Sequence, residues 1–373
     1  MAEYLRLNFP GCSYVGCGAI EKLGPEAGRL GSRALLVTGR KALAETGITD
    51  RFRRILADSG VETTVFDEVP PEPDLQTVDR ARDRIASEQC DLVVEAGGGS
   101  ALDVGKAAAA LAHEEEKTEA YHQGHPITTE GLPHIAVATT SGTGSEVTRN
   151  SVITDPARDL KKSIRGAGFL PDISITDAEL TLSCPPSVTA ASGMDALVQA
   201  IESYFSRHTI PTTEALSLHA VELIRPNLPV AFRRGDNLSA RAAVAEGSYM
   251  AGLALGSARL GAVHGMAHPV GLVYDLPHGV VCATLMPAVL RHNASAAPTK
   301  YEQLSQLMQA DPAEEMEGLL EELDLPRNLG PYPSPGEEKL VLDYALNSGS
   351  SAANPVQVDA KYVKSILQSA CNG

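Results

Sequence analysis

The sequence has little that would take the protein to a membrane, a secretory pathway or a nucleic acid. No uninterrupted apolar run reaches about 18 residues, so no segment is predicted to span a bilayer. The opening MAEYLRLNFP lacks the basic region and apolar run of a signal peptide. Basic residues are fewer than acidic ones, and a net charge of -16 disfavours nucleic acids and anionic membranes as partners.

The sequence also lacks any CxxC pair, although six cysteines are scattered along it. This pattern predicts buried, reduced thiols in a cytoplasmic protein. With 373 residues, of which 43% are hydrophobic and 21% are charged, the chain is long enough for two globular domains with sizeable cores.

The first half of the chain alternates two kinds of segment. Short apolar runs bounded by glycine are typical of buried parallel strands, and segments with helical apolar spacing lie between them. This alternation favours a parallel sheet covered by helices. The predicted strands are 34–38, 62–66, 91–95 and 133–139, and the predicted helices are 49–59, 75–88 and 101–113.

Beyond about residue 181 the strand patterns nearly vanish. Pro185 and Pro186 mark the change and open the first of several helices. The sequence therefore predicts an α/β domain over residues 1–180 and an all-helical domain over residues 181–373. The predicted helices of the second domain are 187–204, 213–223, 239–255, 262–270 and 299–308.

Two glycine-containing loops follow predicted strands, at 97–100 (GGGS) and 139–145 (TTSGTGS). Glycine lets the backbone approach a pyrophosphate, and the N-terminus of the next helix supplies amide donors. Leu102 stands where a full GxGxxG motif has its third glycine, so the first loop alone also suits a simple tight turn. Two such loops on one sheet favour a nucleotide or phosphate bound across the carboxyl ends of its strands.

The second half contains a cluster of residues that suits a divalent metal. His264 and His268 are four residues apart, as are Asp195 and Gln199, so each pair projects from one face of a predicted helix. His278 follows Pro277 in a predicted turn that fixes its imidazole. A single histidine on an apolar helix is usually a core residue, but three within fifteen residues favour ligands.

Four long motifs resemble the iron-containing (group III) alcohol dehydrogenase family. They are GGGSALDVGKA, TTSGTGSEVTRN, PDISITDAELTLSCPPSVTAASGMDALVQAIESY and HGMAHPVGLVYDLPHGVV, in that order along nearly the whole chain. The resemblance implies a Rossmann-like domain, a helical domain and an active site in the cleft between them. It implies a cytoplasmic, homodimeric enzyme that interconverts a small alcohol and an aldehyde or ketone with NAD(P).

The resemblance also implies roles for particular residues. In the family one Asp and three His hold iron or zinc, and the matching positions are Asp195, Gln199, His264 and His278. His268 matches a histidine near the substrate and is a candidate for proton relay, while Glu202 is expected to support the site. The residues expected to contact the dinucleotide are Gly39, Arg40, Gly97, Gly98, Gly99, Ser100, Asp103, Thr139, Thr140, Thr143, Ser145, Asn150 and Lys162.

The sequence departs from the family pattern at two places. Gln199 replaces a histidine ligand, and because an amide oxygen is a poorer ligand than imidazole for Fe²⁺ or Zn²⁺, metal binding is expected to be weakened. Gly39 stands where NAD-preferring members have an aspartate that would repel a 2′-phosphate. With Arg40 or Lys41 able to pair with that phosphate, NADP(H) is expected to be preferred over NAD(H).

Three alternatives remain open from the sequence. The first is a metal-free carbonyl reductase of the same fold, in which His264 and His268 act directly on the carbonyl oxygen. The second is a lyase similar to dehydroquinate synthase, which shares this architecture and returns its NAD unchanged. The third is a nucleotide-binding protein whose metal site has decayed.

Overall fold

The computed structural model describes residues 6–158 and 160–372. Contacts divide the chain into two compact units. The first unit is Asn8–Ser183, and the second contains residues 6–7 and 184–372. The boundary predicted from the sequence, between residues 180 and 181, lies three residues before the point of division.

The first unit is built on a six-stranded parallel sheet with the strand order β1-β8-β5-β4-β2-β3. A separate antiparallel hairpin pairs β6 with β7. The strands are β1 (Cys12–Val15), β2 (Arg33–Gly39), β3 (Glu62–Val69), β4 (Leu92–Gly97), β5 (His134–Ala138), β6 (Asn150–Asp155), β7 (Leu160–Arg165) and β8 (Ile173–Thr176).

Helices cover both faces of this sheet because successive strand residues point to opposite sides. Leu36 and Val94 belong to the apolar core that includes Phe52, whereas Leu35 and Val93 belong to the core that includes Val104. The helices of this unit are α1 (Leu23–Leu30), α2 (Ala42–Glu45), α3 (Ile48–Asp58), α4 (Leu75–Ser87), α5 (Gly99–Ala110) and α6 (Thr118–His122).

The second unit is a helical bundle around one apolar core, to which the long helix α7 contributes residues from almost every face. Proline occupies the first turn of several of its helices, where the missing N–H would have no intrahelical partner. The helices are α7 (Pro186–Phe205), α8 (Pro211–Arg233), α9 (Leu238–Ala258), α10 (Ala262–Tyr274), α11 (His278–Asn293), α12 (Pro298–Met308), α13 (Pro312–Glu322), α14 (Pro335–Asn347) and α15 (Ala360–Asn372).

This architecture confirms the predicted fold class, an α/β domain with a parallel sheet followed by a helical domain. The predictions from the sequence ended α8 ten residues early. They did not include the strands β1, β6, β7 and β8 or the helices α1, α2, α6, α11, α13, α14 and α15. The predicted turn at His278 is wrong, because His278 is the first residue of α11. None of the described helices is both long enough and apolar enough to cross a membrane. The cytoplasmic location remains a prediction.

Candidate metal centre and dinucleotide loops

The two glycine-containing loops lie side by side because they follow β4 and β5, which are neighbours in the sheet. A Cβ atom on Gly99 would lie 2.8 Å from the Cγ2 atom of Thr143, and one on Gly98 would lie 3.2 Å from the Oγ1 atom of Thr140. Only glycine therefore permits this close approach, which brings the backbones of both loops together at the carboxyl ends of β4 and β5.

The first loop leads directly into α5, whose N-terminus is open to a ligand. Gly98 is the N-cap, and no side chain within the described part of the chain caps this end of the helix. The amides of Ala101 and Leu102 donate to the carbonyl of Gly98, so the amides of Gly99 and Ser100, which precede these bonds, are the ones suited to bind an anion. Ser100 lies in the same turn and donates to the carbonyl of Pro71.

Asp103 and Lys106 brace the second loop from α5. Asp103 accepts hydrogen bonds from the Ser145 hydroxyl at 2.6 Å and from the Val152 amide at 3.0 Å. The fully buried Lys106 ammonium donates to the carbonyls of Ser145 and Thr148 at 2.8 and 3.0 Å. Asp103 therefore fixes the loop, and the direct cofactor contact predicted for it remains a prediction. Lys106 was not predicted to support the loop, because a lysine one turn after Asp103 on a helix suggests a side chain exposed to solvent.

The hairpin places its two lysines differently. Lys162 is exposed, and its positive charge adds to the larger effect of burial in lowering the pKa of His122. Lys161 forms an ion pair with Glu72, in the loop between β3 and α4, and its charge lowers the pKa of Asp103 against the larger upward effect of burial. Because neighbouring strand residues alternate in direction, Lys161 lies on the side of the glycine loops.

The remaining predicted dinucleotide residues lie at strand ends. Gly39 ends β2, and a Cβ atom there would meet nothing within 4 Å. The next residue, Arg40, is exposed and donates through Nε to the carbonyl of Glu68 at 3.3 Å. Thr139 donates its backbone amide to the carbonyl of Gly97. Asn150 begins β6 opposite Arg165.

In the second unit, four side chains from three helices converge on one small volume. They are Asp195 on α7, His264 on α10, and His278 and Cys282 on α11, and one potential ligand atom from each lies within 4.8 Å of the others. The Oδ1 atom of Asp195 is 3.2 Å from Nε2 of His264 and 3.8 Å from Nε2 of His278. The Sγ atom of Cys282 is 3.5 Å from Nε2 of His278 and 3.8 Å from Nε2 of His264.

Two buried neighbours orient these groups. The Oε2 atom of Glu202 lies 2.7 Å from Nδ1 of His264, so a proton on Nδ1 leaves the Nε2 lone pair directed into the cluster. Gln199 donates through Nε2 to the Oδ2 atom of Asp195 at 3.0 Å. The Oε1 atom of Gln199 is buried and has no hydrogen-bond partner among the described residues.

The charged and hydrogen-bonding groups of the cluster shift one another's pKa values. Burial works to raise the pKa of Asp195, but the hydrogen bond from His264 and the histidine charges lower it. Burial works to lower the pKa of His264, but the charge of Cys282 and hydrogen bonds to Asp195, Cys282 and Glu202 hold that pKa well above its usual range. Burial also works to raise the pKa of Cys282, but the two histidine charges lower it. The carboxyl group of Asp195 and the thiol of Cys282 therefore lose their protons more readily than the same groups do in water.

His268 does not belong to this group of ligand atoms. It lies one turn after His264 on α10, and its ring centre is 6.4 Å from that of Tyr344. Cys282 belongs to the cluster but was missed in the sequence, where it was taken for a scattered thiol. The signal was its spacing of four residues from His278, which places both on one face only if a helix begins at Pro277.

Comparison with known proteins gives the family. Residues 10–178 match the family described as iron-containing alcohol dehydrogenase, and residues 189–371 match the C-terminal part of the Fe-containing alcohol dehydrogenase family. The chain belongs to the iron-containing alcohol dehydrogenase family. The predicted enzyme that interconverts an alcohol and an aldehyde or ketone is thereby confirmed.

Individual relatives of this family match most of the chain. A 1,3-propanediol dehydrogenase from Klebsiella pneumoniae is 40% identical over 83% of this chain and 79% of its own. An NAD-dependent methanol dehydrogenase from Bacillus methanolicus is 34% identical over 80% of this chain and 78% of its own. The structure of an alcohol dehydrogenase from Oenococcus oeni superposes with a TM-score of 0.93 at 32% identity, covering 98% of this chain and 100% of that one.

The cluster fits the divalent metal that the iron-containing alcohol dehydrogenase family implies. Metal–ligand bonds of about 2.0–2.3 Å in a tetrahedral arrangement separate the ligand atoms by roughly 3.3–3.6 Å. Four of the six separations between the carboxylate, imidazole and thiol atoms are 3.2 to 3.8 Å and bracket that range, and all six are within 4.8 Å. The His278 side chain is 39% exposed, whereas those of Asp195 and His264 are 5% and 7% exposed. The cluster is thus open to solvent on the His278 side.

Proposed function

We propose that the protein is a metal-assisted, NAD(P)-linked oxidoreductase that interconverts a small alcohol and its aldehyde or ketone. The observation that carries this proposal is the convergence of the Asp195 carboxylate with the His264 and His278 imidazoles, open on the His278 side. Membership of the iron-containing alcohol dehydrogenase family supports it. Asp195, His264 and His278 are the proposed metal ligands, and Gln199 lies beside them.

A divalent ion held by these residues would supply polarisation of the substrate oxygen, and a nicotinamide coenzyme would supply hydride exchange with the carbon that carries this oxygen. Two residues of the chain orient the proposed ligands for this chemistry. Glu202 keeps Nε2 of His264 available as a ligand, and Gln199 occupies Oδ2 of Asp195 so that Oδ1 faces the cluster. We assign proton transfer to His268, one turn along α10. A variant His268→Ala that kept full turnover would contradict this role.

The glycine loops are the proposed dinucleotide site. The first turn of α5 supplies amide donors for a pyrophosphate, and Asp103 with Lys106 holds the loop from Thr139 to Ser145 against it. Lys161 is better situated than Lys162 for a phosphate contact, because it pairs with Glu72, next to Pro71, whose carbonyl accepts a hydrogen bond from Ser100 in the first loop. Replacing Lys161 with Ala should raise KM for the coenzyme more than replacing Lys162, and the reverse order would contradict this choice.

NADP(H) is the proposed preferred coenzyme. Gly39 presents no carboxylate at the end of β2, and the adjacent Arg40 is exposed and able to pair with a 2′-phosphate. The Bacillus methanolicus relative is described as NAD-dependent, so this preference would be a departure from it. The test is kcat/KM with each coenzyme, and a higher value with NADH overturns the preference.

The function itself is tested by a spectrophotometric screen. Protein supplied with Zn²⁺ or Fe²⁺ is mixed with short alcohols or aldehydes and either coenzyme, and the absorbance of the reduced nicotinamide is followed. We expect net turnover that Asp195→Ala abolishes, whereas Asp343→Ala, an exposed aspartate on α14, should leave it unchanged. A lyase that returns its NAD unchanged would give no net turnover. A metal-free reductase would turn over in the presence of a chelator.

We also propose that the enzyme is a homodimer acting on a small-molecule substrate. The dimer rests on the family resemblance alone. Light scattering of the purified protein tests it, and the mass of a single 39.2 kDa chain would contradict it.

A further inference from the structure

We propose that Cys282, rather than Gln199, supplies the fourth protein ligand of the metal centre, giving one carboxylate, two imidazoles and one thiolate. This proposal rests on the proposed metal-assisted function and specifies its metal site. Cys282 is completely buried on α11, one turn after His278, and its sulfur faces the Nε2 atoms of both His278 and His264.

Distances favour the cysteine as a ligand. Its Sγ atom lies 3.5 Å and 3.8 Å from the two imidazole nitrogens, and sulfur and nitrogen bound to one tetrahedral ion are separated by roughly 3.6 Å. On binding, the S–H bond breaks, the sulfur keeps the electron pair and forms the metal bond, and the proton leaves to solvent. No oxidation or reduction accompanies this step.

Gln199 has a hydrogen-bonding role beside the ligands. Its Nε2 atom donates to Oδ2 of Asp195, so the amide holds the carboxylate ligand by its outer oxygen. Its Oε1 atom is buried with no partner among the described residues, but an amide oxygen is a poorer ligand than a thiolate for Zn²⁺. The chain thus lacks an imidazole at position 199 and has a thiol within reach of the same ligand atoms.

A thiolate ligand changes which metal the site selects. Soft sulfur ligands favour zinc, whereas Fe²⁺ is better served by imidazole and carboxylate alone. The wild-type site should therefore prefer Zn²⁺ over Fe²⁺ more strongly than a site built only from nitrogen and oxygen. The double variant Cys282→Ser with Gln199→His has such a set, because the new imidazole lies one turn after Asp195 on the same face of α7.

Cobalt provides the direct test, because a thiolate bound to Co²⁺ gives a charge-transfer absorption in the near ultraviolet that nitrogen and oxygen ligands lack. Chelator-treated full-length protein is titrated with Co²⁺ and, separately, with Zn²⁺ against a chromophoric competitor. Wild type should show the charge-transfer band at one ion per chain. Cys282→Ser should lose the band and bind Zn²⁺ at least about a hundredfold more weakly, since even a supporting residue contributes 10–100-fold.

Two further variants make the outcome specific. Cys371→Ser, at another buried cysteine of the helical unit, should keep both the band and the affinity. The Cys282→Ser, Gln199→His protein should regain metal binding without the band and with a lower Zn²⁺ to Fe²⁺ preference, which also shows that the fold survives. Co²⁺ binding to wild type without the band, or unchanged Zn²⁺ affinity in Cys282→Ser, would overturn the proposal.

The same preparations separate this inference from the proposed function. A charge-transfer band without net nicotinamide turnover on any alcohol or aldehyde supports the cysteine ligand and contradicts the oxidoreductase. Turnover that depends on added metal, but with no band, contradicts the ligand and supports the oxidoreductase.

Discussion

At the scale of single residues, Glu202 sets the direction of one ligand. Its carboxylate accepts a hydrogen bond from Nδ1 of His264 at 2.7 Å and another from the Val263 amide at 2.6 Å. The charge of Glu202 thus makes Nε2 a better donor to a cation. This arrangement of carboxylate, histidine and metal recurs in metal sites because it fixes both the tautomer and the orientation of the ring.

Replacing Glu202 with Gln removes that charge and keeps the shape of the side chain. We expect Zn²⁺ affinity, measured by competition with a chromophoric chelator, to fall about 10–100-fold. Glu222→Gln is the matched control, because Glu222 pairs with His219 on an exposed helix face and should leave the affinity unchanged. Equal affinities of the Glu202→Gln and wild-type proteins would show that Glu202 does not act through His264.

Gly39 is the residue on which coenzyme choice depends. The space around its Cβ position is empty, so Gly39→Asp should fit without moving the strand. The new carboxylate would repel a 2′-phosphate and accept from a ribose hydroxyl. We expect kcat/KM with NADPH to fall about tenfold or more relative to NADH, from the 1.5–3 kcal/mol typical of a charged hydrogen bond.

The control for Gly39→Asp is Gly336→Asp, which adds the same charge on the exposed first turn of α14. It should leave the ratio of the two kcat/KM values unchanged. A Gly39→Asp protein with the wild-type ratio would mean that the end of β2 does not contact the ribose.

Residue types and spacing were enough to single out Asp195, His264 and His278, but not Cys282. Three histidines within fifteen residues stand out against an apolar background, whereas a lone cysteine next to alanine and valine reads as core. What turns it into a candidate ligand is the start of α11 at His278, which puts the two side chains on one face. The start of α11 was not predicted from the sequence, because Pro277 and His278 also suit a turn.

At the scale of elements, the loop between β4 and α5 depends on close packing against the loop after β5. A methyl group at Gly99 would lie 2.8 Å from Cγ2, 3.1 Å from Oγ1 and 3.3 Å from Cβ of Thr143, so no rotamer of Thr143 removes the contact. The two loops must then separate. Any ligand that bridges their backbones should lose contacts.

We therefore expect Gly99→Ala to raise the dissociation constant of the coenzyme about tenfold, corresponding to about 1.4 kcal/mol, as measured by fluorescence titration with the reduced nicotinamide. Gly318→Ala on α13 is the control, because its Cβ position is open. It should leave binding unchanged and raise the free energy of unfolding by up to about 1 kcal/mol. Unchanged coenzyme binding in Gly99→Ala would remove these loops from the proposed site.

A single 3-10 turn at the end of the second loop, Ser145–Val147, carries a carboxyl group that should make stability depend on pH. Burial raises the pKa of Glu146 to about 7, against the lowering effects of a backbone hydrogen bond and of Lys106. The folded state therefore holds this proton more tightly than the unfolded state, whose carboxyl has the ordinary value of 4.5. Its contribution to stability is complete below about pH 4.5 and is lost as pH rises through about 7.

Glu146→Gln cannot ionise and should lack this loss. Urea unfolding at pH 5 and pH 8 should show that wild type loses up to about 3 kcal/mol more than the variant between the two values. Glu88→Gln, an exposed glutamate at the end of α4, should behave like wild type. A Glu146→Gln protein with the wild-type difference would mean that Glu146 is ionised throughout.

The parallel sheet and most helices were predictable because apolar runs and helical spacing follow directly from which face is buried. The ends of the helices were not predictable in the same way, and the prolines of α8 show why. The sequence ended α8 before Pro226, yet the helix continues through Pro226 and Pro229 to Arg233. Proline removes a backbone donor and would end an isolated helix, but burial of α8 against the core of the second unit outweighs that cost.

At the scale of the whole molecule, the chain combines two chemistries in two units. The first unit carries glycine loops at the edge of a parallel sheet, and the second carries a cluster of carboxylate, imidazole and thiol groups. The family is recognisable because its motifs extend through both units. The proposed coenzyme preference rests on Gly39 and Arg40, which lie outside these motifs.

The most direct test of the account is a metal titration followed by nicotinamide turnover. Chelator-treated protein receives increasing Zn²⁺, and oxidation of NADPH by a short aldehyde is measured at each point. The account predicts a rate that is negligible without metal, rises in proportion to added Zn²⁺ and levels off at one ion per chain. A rate that is already full before metal is added, or that stays at zero once one ion is bound, would contradict it.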